Sequence, residues 1–170
     1  MTGERMMRIT FTTILFLAIN IYCSAATYTV DPNGSADYSK IQDAIDASKD
    51  GDTIIVRPAT YNESIYFKGR AITVGSEDPS DEVTVSSTKI VASPGPAVTF
   101  DFGEGPNSVI TGFTIMGYGS TGKGHGIYCY ATSPTITKNI ITDCDYTGIR
   151  GSQNAGLIIS FNKIINNGDG

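Results

Sequence analysis

The 170-residue chain is 40% apolar and 17% charged, with a formal net charge of −5, 19 glycines and no tryptophan. That composition is globular rather than disordered, and its length fits a single domain. Neutralising phosphates needs a clustered basic face, and none occurs, so no nucleic-acid partner is expected.

The first 26 residues carry the pattern of an export signal. Arg5 and Arg8 supply a positive start, "ITFTTILFLAINIY" (9–22) an apolar stretch, and "CSAA" (23–26) small residues for cleavage after Ala25 or Ala26. Thr12, Thr13 and Asn20 leave the apolar run short for a bilayer. The expectation is therefore a mature domain over 27–170, secreted or at the cell surface, with no membrane span. It keeps Cys129 and Cys144, which an oxidising compartment would pair only if their Cα atoms came within about 7 Å. Strand alternation points Cys129 inward, as a buried thiol.

Residues 38–51, "YSKIQDAIDASKDG", predict the one clear helix. Ser39 and Gln42 match a capping box, and Ile41, Ala44, Ile45 and Ser48 share one face. A strand follows in "DTIIVRPATY". Short β runs are then predicted at 64–67, 71–75, 82–85, 97–100, 108–115, 126–130, 134–141, 148–151 and 157–165, separated by Gly, Pro, Asn and Ser.

These runs repeat. Gly126-Ile127 returns as Gly148-Ile149 after 22 residues, and Asn139 returns as Asn162 after 23. A period of this size with short strands predicts a solenoid, whose coils bury apolar side chains only by stacking. In "GIYCY" (126–130), Ile127 and Cys129 face inward, and Tyr128 and Tyr130 outward. Ile149 stacks on Ile127, Arg150 continues the outer row, and Asn139 and Asn162 are expected to bond at a turn. Ile127, Cys129, Ile136 and Ile149 are the predicted core.

The opening "DYSKIQDAIDASKDGDTIIVRPATYNESI" and the coil "GIYCYATSPTITKNIITDC" resemble right-handed parallel β-helix repeat proteins of the pectate lyase-like superfamily. The resemblance covers 27–170. It implies an all-β, right-handed parallel β-helix whose short N-terminal helix caps the end of the stack. The segment "NKIINNGDG" breaks off within a repeat, so the β-helix is expected to continue beyond Gly170.

The same resemblance raises three chemical candidates. Gly124-His125-Gly126 is similar to the Gly-His-Gly signature of polygalacturonases, which makes His125 a catalytic candidate. The paired aspartates that such hydrolysis needs are not matched, since the preceding coil offers only Asp101 and Glu104. Ala59-Thr60-Tyr61-Asn62-Glu63 partly resembles the Gly-x-Tyr-x-Glu element of pectin methylesterases and reads as a fold marker, with Tyr61 packing and Glu63 capping a turn. Asp143 and Asp145, at i and i+2, could share a Ca²⁺ beside Arg150, which would then act on a uronate as in calcium-dependent pectate lyases. As part of a six-to-eight oxygen shell the two carboxylates are incomplete, and the same stretch reads as a polar turn.

A sugar-binding face is the remaining candidate. Tyr128 and Tyr130, flanked by Asp101 and Arg150, present aromatic rings suited to the apolar faces of sugars. The sequence thus predicts an exported β-helix module that contacts a polysaccharide or cell-surface glycan without catalysis or a cofactor. The alternative is the N-terminal part of a polysaccharide lyase or glycoside hydrolase acting on a uronate-containing polysaccharide.

Overall fold

The structure, a computed structural model, describes residues 24–92, 94–119 and 124–168. The expected export leader lies almost wholly in residues 1–23, outside the described residues.

Short strands wind into about five coils. The chain enters through β1 (Thr27–Val30) and α1 (Ile41–Ala47), then makes a first coil of β2 (Thr53–Val56), β3 (Thr60–Tyr61) and β4 (Ile65–Tyr66). The second coil is β5 (Thr73–Ser76), α2 (Glu82–Ser87), β6 (Lys89–Ala92) and β7 (Val98–Phe100). The third is β8 (Val109–Thr111), β9 (Thr114–Gly117) and β10 (Ile127–Tyr130). The fourth is β11 (Thr135–Thr137), β12 (Ile140–Thr142) and β13 (Ile149–Ser152), and β14 (Ile158–Ser160) and β15 (Lys163–Ile165) begin the fifth. All pairings are parallel and form three sheets, β1-β2-β5-β8-β11-β14, β3-β6-β9-β12-β15 and β4-β7-β10-β13.

The predicted registers hold. Ile127 pairs with Ile149 on one side and Val98 on the other. The inward columns Ile54–Val74–Ile110–Ile136 and Ile90–Ile115–Ile141 are fully buried. Phe67 and Phe100 stack inside at 4.2 Å between ring centroids. Neighbouring coils in such sheets lie about 4.8 Å apart, so one coil's residue covers the same position of the next.

One corner explains how three-residue strands turn without helices. Gly112, Lys138 and Phe161 all adopt left-handed backbone (φ 80, 56 and 55°) one coil apart. Phe113, Asn139 and Asn162 follow them. At Gly112 the choice is obligatory, because a Cβ there would lie 2.8 Å from Cβ of Pro79. Asn139, only 1% exposed, accepts from Phe113 N (3.0 Å) and donates to Ile110 O (3.1 Å), while Asn162 Oδ1 accepts from Asn139 N (2.9 Å). The expected asparagine ladder is present.

Three expectations change. The helix is shorter than 38–51, and no capping box forms; Glu63, from the first coil, accepts from Ile41 N (2.9 Å) and Gln42 N (3.0 Å) instead. A carboxylate that meets two orphan N–H groups at a helix start serves the same need from a distance. The face Ile41, Ala44, Ile45 and Ser48 is buried as expected and covers the N-terminal end of the coil stack. Residues 82–85, read as a strand from their β-branched content, are instead the start of α2. Asp81 caps it by accepting from Thr84 N (2.8 Å), and Thr114 Oγ1 anchors it by donating to Val85 O (3.0 Å). Finally, Ile127, Cys129 and Ile136 are fully buried, but Ile149 is only half-buried because β13 is the last strand of its sheet.

Candidate functional site

The outer face of the sheet β4-β7-β10-β13 carries the predicted glycan residues. Register places Tyr66, Thr99, Tyr128 and Arg150 in one outward row, one residue per coil. A second outward position follows two residues along, where Tyr130 pairs with Ser152 and Asp101 succeeds Phe100, the partner of Cys129. Tyr66 is 40% exposed and Tyr130 44%, Arg150 and Asp101 are exposed, Tyr128 is half-buried, and Thr99 between them is buried. Partial desolvation by its surroundings, and then the nearby Glu104 charge, raise the Asp101 carboxyl above its ordinary value.

His125 explains why Tyr128 is less exposed than Tyr130. Its ring lies nearly parallel to that of Tyr128 (centroids 6.1 Å apart, 19° between planes) and edge-on to Tyr146 (5.5 Å, 89°). Nδ1 lies 2.6 Å from Thr147 Oγ1, and the residue is 4% exposed. The imidazole is therefore wedged between two tyrosines and a threonine, as a prop for the aromatic row. Gly124, which precedes it, is required by close packing: a Cβ there would sit 2.8 Å from Asp145 Cβ.

Glu104 serves the same face from below. It is 2% exposed, and its carboxylate accepts from Gly69 N (2.8 Å) and Phe102 N (2.9 Å), which ties the loop after β7 to the first coil. Asp143 and Asp145 are exposed and flank buried Cys144. Asp143 accepts from its neighbour Thr142 Oγ1 (3.0 Å), and Asp145 from Gly119 N (2.9 Å). Among the described residues no cluster of three or more His, Cys, Asp or Glu is placed to hold a metal ion.

Cys129 and Cys144 are free and buried. Burial pushes the Cys129 thiol up to about 12 and raises that of Cys144. Cys144 occupies a corner that the next coil fills with asparagine: Sγ of Cys144 accepts from Gly117 N (3.4 Å), and Asn167 Oδ1 accepts from Cys144 N (3.1 Å).

The family of the right-handed β-helix region matches residues 19–170, nearly the whole chain. The chain belongs to that family. No curated protein and no solved structure matches it. Within this β-helix, sequence reasoning placed Tyr128, Tyr130, Asp101 and Arg150 on one face, and the register does bring them together. It missed Tyr66, whose outward position depends on the pairing of β4 with β7. It also missed the His125–Tyr146–Thr147 contacts, which bridge consecutive coils. The 22-residue period is the signal that brings them together, since His125 shifted by one coil gives Thr147.

Proposed function

We propose that this β-helix is an exported module, secreted or held at the cell surface, that binds a polysaccharide or cell-surface glycan through the outer face of β4-β7-β10-β13 and performs no chemistry on it. The observation that carries the proposal is the outward row Tyr66–Thr99–Tyr128–Arg150 with Tyr130 and Asp101 beside it. Tyrosine rings offer flat apolar surface to the C–H faces of sugars while their hydroxyls stay wet. The ring of Tyr128 is held in place by His125, so little side-chain freedom is lost on binding. Arg150 offers a planar donor fork to a uronate carboxylate, and Asp101 accepts from sugar hydroxyls.

The support for a non-catalytic role is local. His125 is enclosed by Tyr128, Tyr146 and Thr147, and Asp143 and Asp145 accept from Thr142 and from the Gly119 amide. A hydrolase needs paired carboxylates around the scissile bond, and a calcium-assisted lyase needs a fuller oxygen shell.

Affinity electrophoresis in gels cast with polygalacturonate, alginate or a neutral glucan tests the proposal. At least one gel should retard the protein, and Tyr128→Ala should weaken retardation about fivefold, the equivalent of about 1 kcal/mol for one stacked ring. Absorbance at 235 nm and reducing-end release should stay flat, with and without Ca²⁺. Calcium-dependent turnover abolished by Arg150→Ala would restore the lyase reading, and hydrolysis abolished by His125→Ala the hydrolase reading.

A further inference from the structure

The leader sequence offers two registers of small residues for processing, Cys23-x-Ala25 and Ser24-x-Ala26, and a peptidase that reads small side chains accepts either. The fold does not treat them alike. Ala26 N donates to Asp52 Oδ1 at 2.7 Å, and Ala26 O accepts from Thr53 N at 2.9 Å. Asp52 is 4% exposed, and its other oxygen accepts from Lys49 N at 2.7 Å. Among the described residues, Ala26 is thus the one nearest the N-terminus whose backbone bonds into the first coil. By contrast, Ser24 and Ala25 are exposed.

We infer that the Ala25–Ala26 peptide bond is the processing site, and that the working protein starts at Ala26 with its α-ammonium held on the Asp52 carboxylate. The inference rests on the export reading proposed above. Hydrolysis by a membrane-bound leader peptidase adds water across that bond: the hydroxyl goes to the Ala25 carbonyl, which leaves with the leader as a carboxylate. Ala26 N keeps the bond electron pair, takes up protons and becomes an ammonium. The Ala26 carbonyl stays on Thr53 N, and the amide N–H on the Asp52 carboxylate becomes an ammonium, so that both partners of the bond are charged. A cut after Ala26 does the opposite. It removes both Ala26 groups, strips buried Asp52 of one of its two backbone donors and leaves Thr53 N–H unpaired at the coil edge.

Pairing raises the folded-state value of the α-amine above its ordinary range of about 7.7 to 8.0. The added stability is then complete below that range and is lost as pH rises through the folded-state value.

Intact-mass measurement on the protein recovered from the medium or periplasm of an exporting bacterial host decides the site. A mass that begins at Ala26 supports it, and one that begins at Thr27 or later overturns it while leaving export intact. A chain retained inside the cell with its leader attached overturns the export reading, and the inference falls with it. Melting of the mature protein between pH 7 and 10, beside its N-terminally acetylated form and Asp52→Asn, tests the ion pair. The mature protein should lose several degrees more than either comparison across that range. Identical slopes would show that the ammonium is not held on Asp52.

Discussion

Single side chains replace helices and long strands as the devices that fix this coil. Asn139 is the clearest case: its carboxamide and amide reach Phe113, Ile110 and Asn162 across three coils while it is 1% exposed. Asn139→Ala leaves several buried backbone groups unpaired and should cost about 3 kcal/mol, read from urea unfolding. Asn162→Ala, at the edge of the stack, should cost less. This ladder was legible in the sequence because asparagine recurs at 139 and 162 in a glycine-rich repeat. The preceding left-handed positions were not, because Lys138 and Phe161 are residue types that seldom take positive φ. Cys129 offers a second test at this scale. Its thiol is pushed up to about 12 by burial, so the folded state holds a proton that the unfolded chain releases above the ordinary thiol value of 9.0. Linkage therefore removes stability as pH rises from about 9 towards 12. At pH 8 in buffer, neither Cys129 nor Cys144 should react with a thiol reagent, and both should react at once in denaturant.

At the level of elements, the two helices show where local pattern and tertiary context part. The position and buried face of α1 follow from Ile41, Ala44 and Ile45, but its N-terminal partner comes from Glu63, 22 residues from Ile41. Capping signals next to a helix cannot reveal a carboxylate delivered by the following coil. Glu63→Ala should destabilise the fold by about 1 to 2 kcal/mol, and Ser39→Ala should leave it unchanged, as measured by thermal melting. For α2 the β-branched run Val83, Thr84 and Val85 suggested a strand. The Asp81 cap, with Thr84 donating from both backbone and hydroxyl, outweighs that propensity, and docking on Thr114 completes the helix. An excursion of this kind interrupts the 22-residue period that relates the later coils.

Across the whole molecule, stability is a sum over stacked neighbours, so position along the axis matters as much as residue type. Ile127 is covered by a coil on each side, whereas Ile149 is half-buried because it lies on β13, the outermost strand of its sheet. Ile127→Asp should prevent folding, and Ile149→Asp should lower the melting temperature without abolishing the β-sheet circular dichroism signal. Equal effects would show that the coils do not act as nearest neighbours. The same stacking turns sequence positions far apart into one outer surface, where Tyr66 and Arg150 share a row although 84 residues separate them. Backbone amide chemical-shift mapping of the protein, titrated with galacturonate and with neutral glucan oligosaccharides, tests that surface most directly. Perturbations should cluster at Thr99, Tyr128, Tyr130 and Arg150. Silence with both ligands, or shifts confined to Val109, Thr135 and Ile158 on the adjoining sheet, would contradict a glycan-binding role for this face.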